Sequence, residues 1–410
     1  DKGKRQVSPP ALIIQDELHL ISGPLGSMVG LYEGLIEELC TDRRGPSPIR
    51  PKLIASTATT RASTRQIREL YARPTTAIFP PPGIQAGDSF FAKYDRYPSG
   101  HSLAGRIKPG RMFLGVLARS YGSGLTVNVR TCAAIISAAG RIGSDPWWTL
   151  LVFYNSLREL GSGLTLFGAD IPERLRDIQN RWYPGQKRRY LSAEGVLELT
   201  GRLDNSDIPR ALSRLEKSSK DTGSVDACLA SNIIEVGVDV PRLGVMAVAG
   251  QPKNTAQYIQ ASGRIGRKSP GLVVVMYDNQ KPRDLSHFEQ FRGYHDKLYA
   301  AVEPSSVTPF TLPVLERALH GVLIAWIRQL LPRDQLSSPK EFANESGPIR
   351  RALIDFARHF MKRIESLYAS DPVAMDHTKK LLHRVLKRRT AEWMDSSPSV
   401  WENRDTSGDS

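Results

Sequence analysis

The stretch "YIQASGRIGR", residues 258–267, sets two arginines three positions apart among two glycines. A planar, permanently charged guanidinium suits phosphoryl charge as it develops. The glycines let a helix and the loop after it approach neighbouring backbone closely. The plainer reading is a basic helix terminus. What decides is the setting. "LGVMAVAG" (243–250) before it and "GLVVVMY" (271–277) after it are short apolar runs that read as buried strands.

Six more such runs lie along the chain: "ALIIQ" (11–15), "KLIAST" (52–57), "RMFLGVLA" (111–118), "TLLVFY" (149–154), "GVLELT" (195–200) and "VDACLA" (225–230). Most lead into a helix-like segment, so the pattern predicts parallel sheets covered on both faces, an α/β fold. Residues 81–104 are rich in Pro and Gly and read as a linker. The expected division is a first α/β unit over 1–80, a second over 105–300, and an α-helical region over 301–410. The last rests on the helical spacing of "PVLERALHGVLIAWIRQLL", "RALIDFARHFMKRIESLYA" and "HTKKLLHRVLKRRTAEWM". The tail "ENRDTSGDS" is expected to be disordered.

With 410 residues the chain exceeds one ordinary core, and 40% hydrophobic content marks it as globular. No apolar run approaches ~18 residues, so no transmembrane helix is expected. Cys40, Cys132 and Cys228 lie far apart and fit neither a disulfide framework nor a zinc site. They point to a reducing, cytoplasmic setting. Lys plus Arg number 56 against 42 Asp plus Glu, a formal charge of +14, which favours a polyanionic partner such as nucleic acid.

"IIQDELHLISGP" (13–24) ends a strand in Asp16, Glu17 and His19. One carboxylate can hold Mg²⁺ on nucleotide phosphates while its neighbour deprotonates the attacking water. "LIASTATT" puts Ser56, Thr57 and Thr59 at the end of the next strand, where hydroxyls could equally cap a helix. "ASNIIEVGVDVP" places Ser231, Asn232, Gly237 and Asp239 after another strand, and a hydroxyl there fits a phosphate contact. Asn155-Ser156 follow "LLVFY", and Thr200-Gly201-Arg202 follow "VLEL".

In this order the segments resemble the superfamily 2 helicases. Asp16-Glu17-Leu18-His19 resembles the DExH box, and Gln260, Gly263, Arg264, Gly266 and Arg267 fill the pattern Q-x-x-G-R-x-G-R. The resemblance implies two RecA-like parallel-sheet domains, ATP and Mg²⁺ as cofactors, and DNA as partner. It gives Glu17 as general base, Asp16 as metal anchor, and His19 beside them in the catalytic set. Arg264 and Arg267 become arginine fingers, and Gln260, Gly237 and Asp239 become nucleotide contacts. Thr57, Thr59, Asn155, Ser156, Thr200, Gly201, Arg202, Ser231 and Asn232 are expected to contact nucleic acid.

No G-x-x-x-x-G-K-[ST] occurs in these residues. The phosphate-cradling loop is therefore expected before residue 1, with the first domain truncated at its N-terminus. "LHLISGPLGSMVGLYE" and "VEPSSVTPF" further resemble the DrmA-type helicase subunits of DISARM anti-phage systems, which implies a DrmB-type partner subunit. A nucleic-acid clamp with little hydrolysis and an RNA helicase are the alternatives. The basic run 379–389 reads as a solvated helix face or a DNA or partner contact. Trp393 and Trp401 read as packing residues or partner contacts.

Overall fold

The computed structural model describes residues 8–57, 63–79, 81, 84, 90–91, 110–118, 123–186, 189–204, 206–231, 240–303, 307–331 and 346–396. Thr59, Asn232, Gly237, Asp239 and Trp401, and nearly all of the expected linker, lie outside them. The chain divides into two compact units, Asp1–Tyr94 with Pro304–Ser410, and Asp95–Glu303.

The N-terminal part of the first unit comprises β1 (Leu12–Gln15), α1 (Gly23–Leu39), β2 (Lys52–Ala55) and α2 (Ser63–Tyr71). β1 and β2 pair in parallel, with Leu12 opposite Lys52 and Gln15 opposite Ala55.

The second unit holds β3 (Arg111–Leu117), α3 (Gly124–Ile142), α4 (Asp145–Trp148), β4 (Leu150–Tyr154), α5 (Leu157–Gly168), α6 (Asp170–Trp182) and β5 (Val196–Leu199). It continues with α7 (Asp207–Glu216), β6 (Ala227–Ala230), β7 (Val245–Ala249), α8 (Thr255–Ser262), β8 (Gly271–Tyr277), α9 (Pro282–Glu289) and α10 (Phe291–Asp296). Its six strands form one parallel sheet in the order β3-β8-β7-β4-β6-β5. Every residue of β4, β6 and β7 is buried, which is why these strands read as unbroken apolar runs. Alternate side chains feed opposite cores. Leu151, Phe153, Met246 and Val248 join Tyr258 and Ile265 on one face; Leu150, Val152, Val245 and Ala247 join Ile136 and Phe167 on the other.

All eight strand expectations are met, as are the three late helices, α11 (Leu312–Leu330), α12 (Pro348–Leu367) and α13 (Pro372–Ser396). Their grouping differs from expectation. Rather than forming a separate extension, they share one core with α1, in which Leu31 and Leu35 meet Leu315, Leu319, Phe356, Phe360 and Leu382. Trp393 packs against the same core. Two short strands and two helices cannot bury the apolar face of α1, and the late helices cover it. Glycines in "GPLGSMVGLYEG" allow the close approach: a Cβ on Gly34 would stand 2.9 Å from Phe360 Cζ, and one on Gly30 3.0 Å from Pro309 Cβ.

Charge is buried in this packing. Arg363 of α12 donates to Glu37 Oε2 at 2.7 Å and to the Leu70 carbonyl at 2.8 Å. Glu37 Oε1 lies 2.9 Å from Arg50 Nε and 3.7 Å from Arg73. Burial and the charges of Arg363, Arg50 and Arg43 hold the His359 imidazole far below its ordinary 6.5, at about 3. They outweigh Glu38, whose Oε2 is 3.5 Å from Nδ1, and the bond to the Gly34 backbone. A depressed folded value makes the neutral imidazole a source of stability above about pH 6.5 that is lost as pH falls toward 3. His359→Gln is therefore expected to flatten the fall of the urea midpoint between pH 7 and 4. An unchanged pH slope would show that His359 does not carry it.

Candidate functional site

β1 ends directly before the acidic residues, and two backbone bonds stitch its exit to that of β2. Ser56 N donates to Gln15 O at 2.8 Å, and Leu18 N donates to Ser56 O at 2.9 Å. Asp16 accepts from Ser56 Oγ and from Glu17 N, the latter at 2.9 Å. Both bonds favour the carboxylate and hold it below the usual range. Glu17 adopts left-handed backbone, φ 53° and ψ 46°. For a non-glycine residue this costs on the order of 1–3 kcal/mol and is found where a side chain must be aimed. His19 Nδ1 lies 3.2 Å from Glu17 Oε2 and 3.2 Å from Thr57 Oγ1. The structure thus gathers Asp16, Glu17, His19, Ser56 and Thr57, separated by some forty residues in sequence, into one cluster.

Gln66 was not legible as part of this site. It is 2% exposed, and its amide donates to Leu18 O at 3.2 Å and Ile21 O at 2.8 Å, clamping the acidic turn. An isolated glutamine on an amphipathic helix carries no sequence signal for that role. Among the described residues no group of three or more His, Cys, Asp or Glu is placed to hold a metal. An exposed carboxylate kept ionised nevertheless fits Mg²⁺, which retains most of its waters and takes one or two carboxylates plus substrate phosphates.

In the second unit Gln260 lies on α8, and Gly263 to Arg267 form the loop that leaves it. Gly266 has φ +73°, and a Cβ there would stand 2.9 Å from Gly110 O. Gly266 N donates to Leu243 O at 3.2 Å, and Gly271 N to Gly110 O at 2.8 Å. The arginine loop is thereby fixed against the amino ends of β3, β7 and β8. Arg267 is exposed and its Nε donates to Gly263 O at 3.3 Å; Arg264 is half-buried. Glu303 holds the other end of the helix, accepting from Thr255 N at 2.9 Å and Thr255 Oγ1 at 3.0 Å. That clamp, too, had no sequence signal.

Asn155, Ser156, Thr200, Gly201, Arg202 and Ser231 follow the carboxyl ends of β4, β5 and β6. They stand at the opposite end of the sheet from the arginine loop, ~17 Å away for strands of five residues. The expected nucleic-acid contacts are not equivalent within this set. Ser156 Oγ caps α5, accepting from Glu159 N at 3.2 Å. Asn155 Nδ2 donates to Ala249 O at 3.0 Å and Gly250 O at 3.3 Å, tying β4 to β7. Thr200 is fully buried and spends its hydroxyl on Glu198 Oε1 at 2.9 Å, so it shapes the turn instead of facing solvent. Arg202 and Gly201 are exposed.

The helicase conserved C-terminal domain family matches residues 183–269. The chain is 38% identical over 395 residues to the DISARM protein DrmA of Bacillus paralicheniformis, a match that covers 94% of this chain. It spans about a third of that protein's length, 34%. The fold resembles that of the DUF1998 helicase MrfA bound to DNA, with TM-score 0.52, 17% identity, and coverage of 84% of this chain and 40% of that one. Helicase Lhr of Mycobacterium smegmatis, bound to single-stranded DNA and AMP-PNP, gives TM-score 0.50 at 16% identity, over 79% of this chain and 37% of that one. The chain is thus similar in sequence to DrmA, carries a helicase conserved C-terminal domain match over residues 183–269, and is similar in fold to MrfA and Lhr.

Proposed function

We propose that this chain is part of an ATP-driven DNA translocase or helicase that acts in anti-phage defence. The observation that carries the reading is the division of labour in the sheet of the second unit. The arginine loop is fixed at the amino ends of its strands, and polar strand exits line the carboxyl ends, where open α/β sheets bind ligands. Glu17 acts as general base toward the attacking water, and His19 orients it from 3.2 Å. Asp16 would anchor Mg²⁺, which when bound would supply charge neutralisation at the phosphates. Arg264 and Arg267 stabilise the phosphoryl charge that develops as the γ-phosphate leaves. Gln260, Gly237 and Asp239 contact nucleotide. Arg202 and Asn232, with Thr57 and Thr59, grip the strand backbone, while Ser231, only 6% exposed, supports the exit of β6. Similarity to DrmA supports the defence role and a DrmB-type partner subunit.

A clamp that binds nucleic acid without turnover is the second reading, and it shares with the first the formal charge of +14. Both readings require backbone-dominated binding. With a formal charge of +14, affinity for single-stranded oligonucleotides is expected to fall steeply with salt and to depend little on sequence. Fluorescence anisotropy from 50 to 300 mM salt, on DNA and RNA of one sequence, checks this. A salt-insensitive curve contradicts both readings, and a preference for RNA overturns the choice of DNA. ATP turnover by the native protein separates motor from clamp.

A further inference from the structure

A basic cavity of about 790 Å³ opens in the first unit, between the end of α1 with the segment after it and the helices α11 and α12. None of the helicase motifs contributes to it. We propose that this cavity is a binding site for a small phosphate-bearing anion, up to nucleotide size, recognised by Arg50, Arg351 and Lys362.

The size falls within the roughly 300–1,000 Å³ of small-molecule sites. The charge is unbalanced. Arg43, Arg50, Arg351, Arg358 and Lys362 line the cavity against three carboxylates, Glu37, Glu38 and Asp355. Those carboxylates are already engaged: Glu38 Oε1 accepts from Arg43 Nε at 2.9 Å, Glu37 Oε1 lies 2.9 Å from Arg50, and Asp355 Oδ1 lies 2.7 Å from Arg358. Glu37 also carries the buried Arg363 at 2.7 Å and has Arg73 at 3.7 Å, so one carboxylate faces three arginines. Arg351 and Lys362 have no carboxylate partner among the described residues.

Two further features point the same way. The 20-residue helix α12 begins at the rim with Pro348, and its cap Gly347 offers no side chain to the first-turn N–H groups. Such an end attracts anions. His359, also in the lining, keeps its Nε2 buried without a hydrogen-bond partner. Its imidazole stays neutral in part because Arg363, Arg50 and Arg43 surround it, which reports a positive field at the inner wall. Leu330 and Leu331 supply an apolar side to the same space, suited to the non-phosphate part of a ligand.

The test is calorimetric titration of the chain with inorganic pyrophosphate, and separately with a twelve-nucleotide oligothymidylate, at low salt. Pyrophosphate is expected to bind at one site per chain. Arg351→Glu with Lys362→Glu should weaken it by about a hundredfold, roughly tenfold per lost charge-assisted contact. Both residues are exposed, so thermal melting of the double variant should match the parent. Pyrophosphate should also move the His359 imidazole resonances toward the protonated form in the parent and not in the variant. Absence of pyrophosphate binding, or binding indifferent to the two substitutions, overturns the proposal. So does a variant that loses affinity for the oligonucleotide alone, which makes the cavity part of a nucleic-acid surface.

Discussion

Arg267→Ala is expected to lower DNA-stimulated ATP hydrolysis by the native protein about 10³-fold or more. The side chain is exposed at the tip of a loop whose shape is set by Gly266, so its removal should leave the fold and nucleotide-free DNA binding intact. An arginine that stabilises the transferring phosphoryl group acts on the transition state more than on bound ATP. The loss should therefore appear in turnover and much less in the Michaelis constant. Arg267→Lys keeps the charge without the planar fork and should recover little. Glu17→Gln offers a contrast: turnover should stop while ATP remains bound, because the lost function is water activation. ATPase rate and DNA affinity measured side by side on both variants decide the matter. Near-normal turnover in Arg267→Ala would reduce the loop to a basic helix terminus and remove the main support for a motor.

In the first unit, Arg363→Ala should cost about 3–5 kcal/mol of stability, the usual range for breaking one partner of a buried ion pair. Arg363 is 6% exposed, and its loss leaves Glu37 Oε2 without its donor, with Arg50 and Arg73 only on the other oxygen, and the Leu70 carbonyl without its donor. Converting both partners, Arg363→Met with Glu37→Gln, removes the stranded charge and should cost clearly less than Arg363→Ala alone. Urea unfolding of the two variants, followed by tryptophan fluorescence from Trp326 in the same core, measures the difference. A loss below about 1 kcal/mol for Arg363→Ala would mean that water reaches the site and that the pair is solvated in solution.

Much of the architecture was legible in local patterns. The central strands β4, β6 and β7 were readable because parallel strands buried on both faces must be apolar at consecutive positions, as in "LLVFY" and "VMAVA". The late helices were readable from their 3.6-residue apolar spacing. The arginine loop was readable because a positive φ at Gly266 and the close backbone of Gly110 demand glycine at a fixed place in the motif. Such constraints act within a few residues, so they leave a mark in the sequence.

Other properties were decided only by long-range packing. Nothing in "LYEGLIEEL" tells that α1 is completed by helices some three hundred residues later, since an apolar stripe specifies a need for cover and not its source. Gln66 and Glu303 became clamps of the acidic turn and of α8 because folding brought backbone groups to them. Thr200 matched a phosphate-contact motif by position but turned inward, because Glu198 two residues earlier accepts its hydroxyl. The cavity beside α12 arose in the same way, from arginines dispersed between Arg43 and Arg358. Residue types and short spacings fix which groups are available for chemistry. Which of them meet depends on distances that a linear sequence does not encode locally, and these are set when the cores of the two units close.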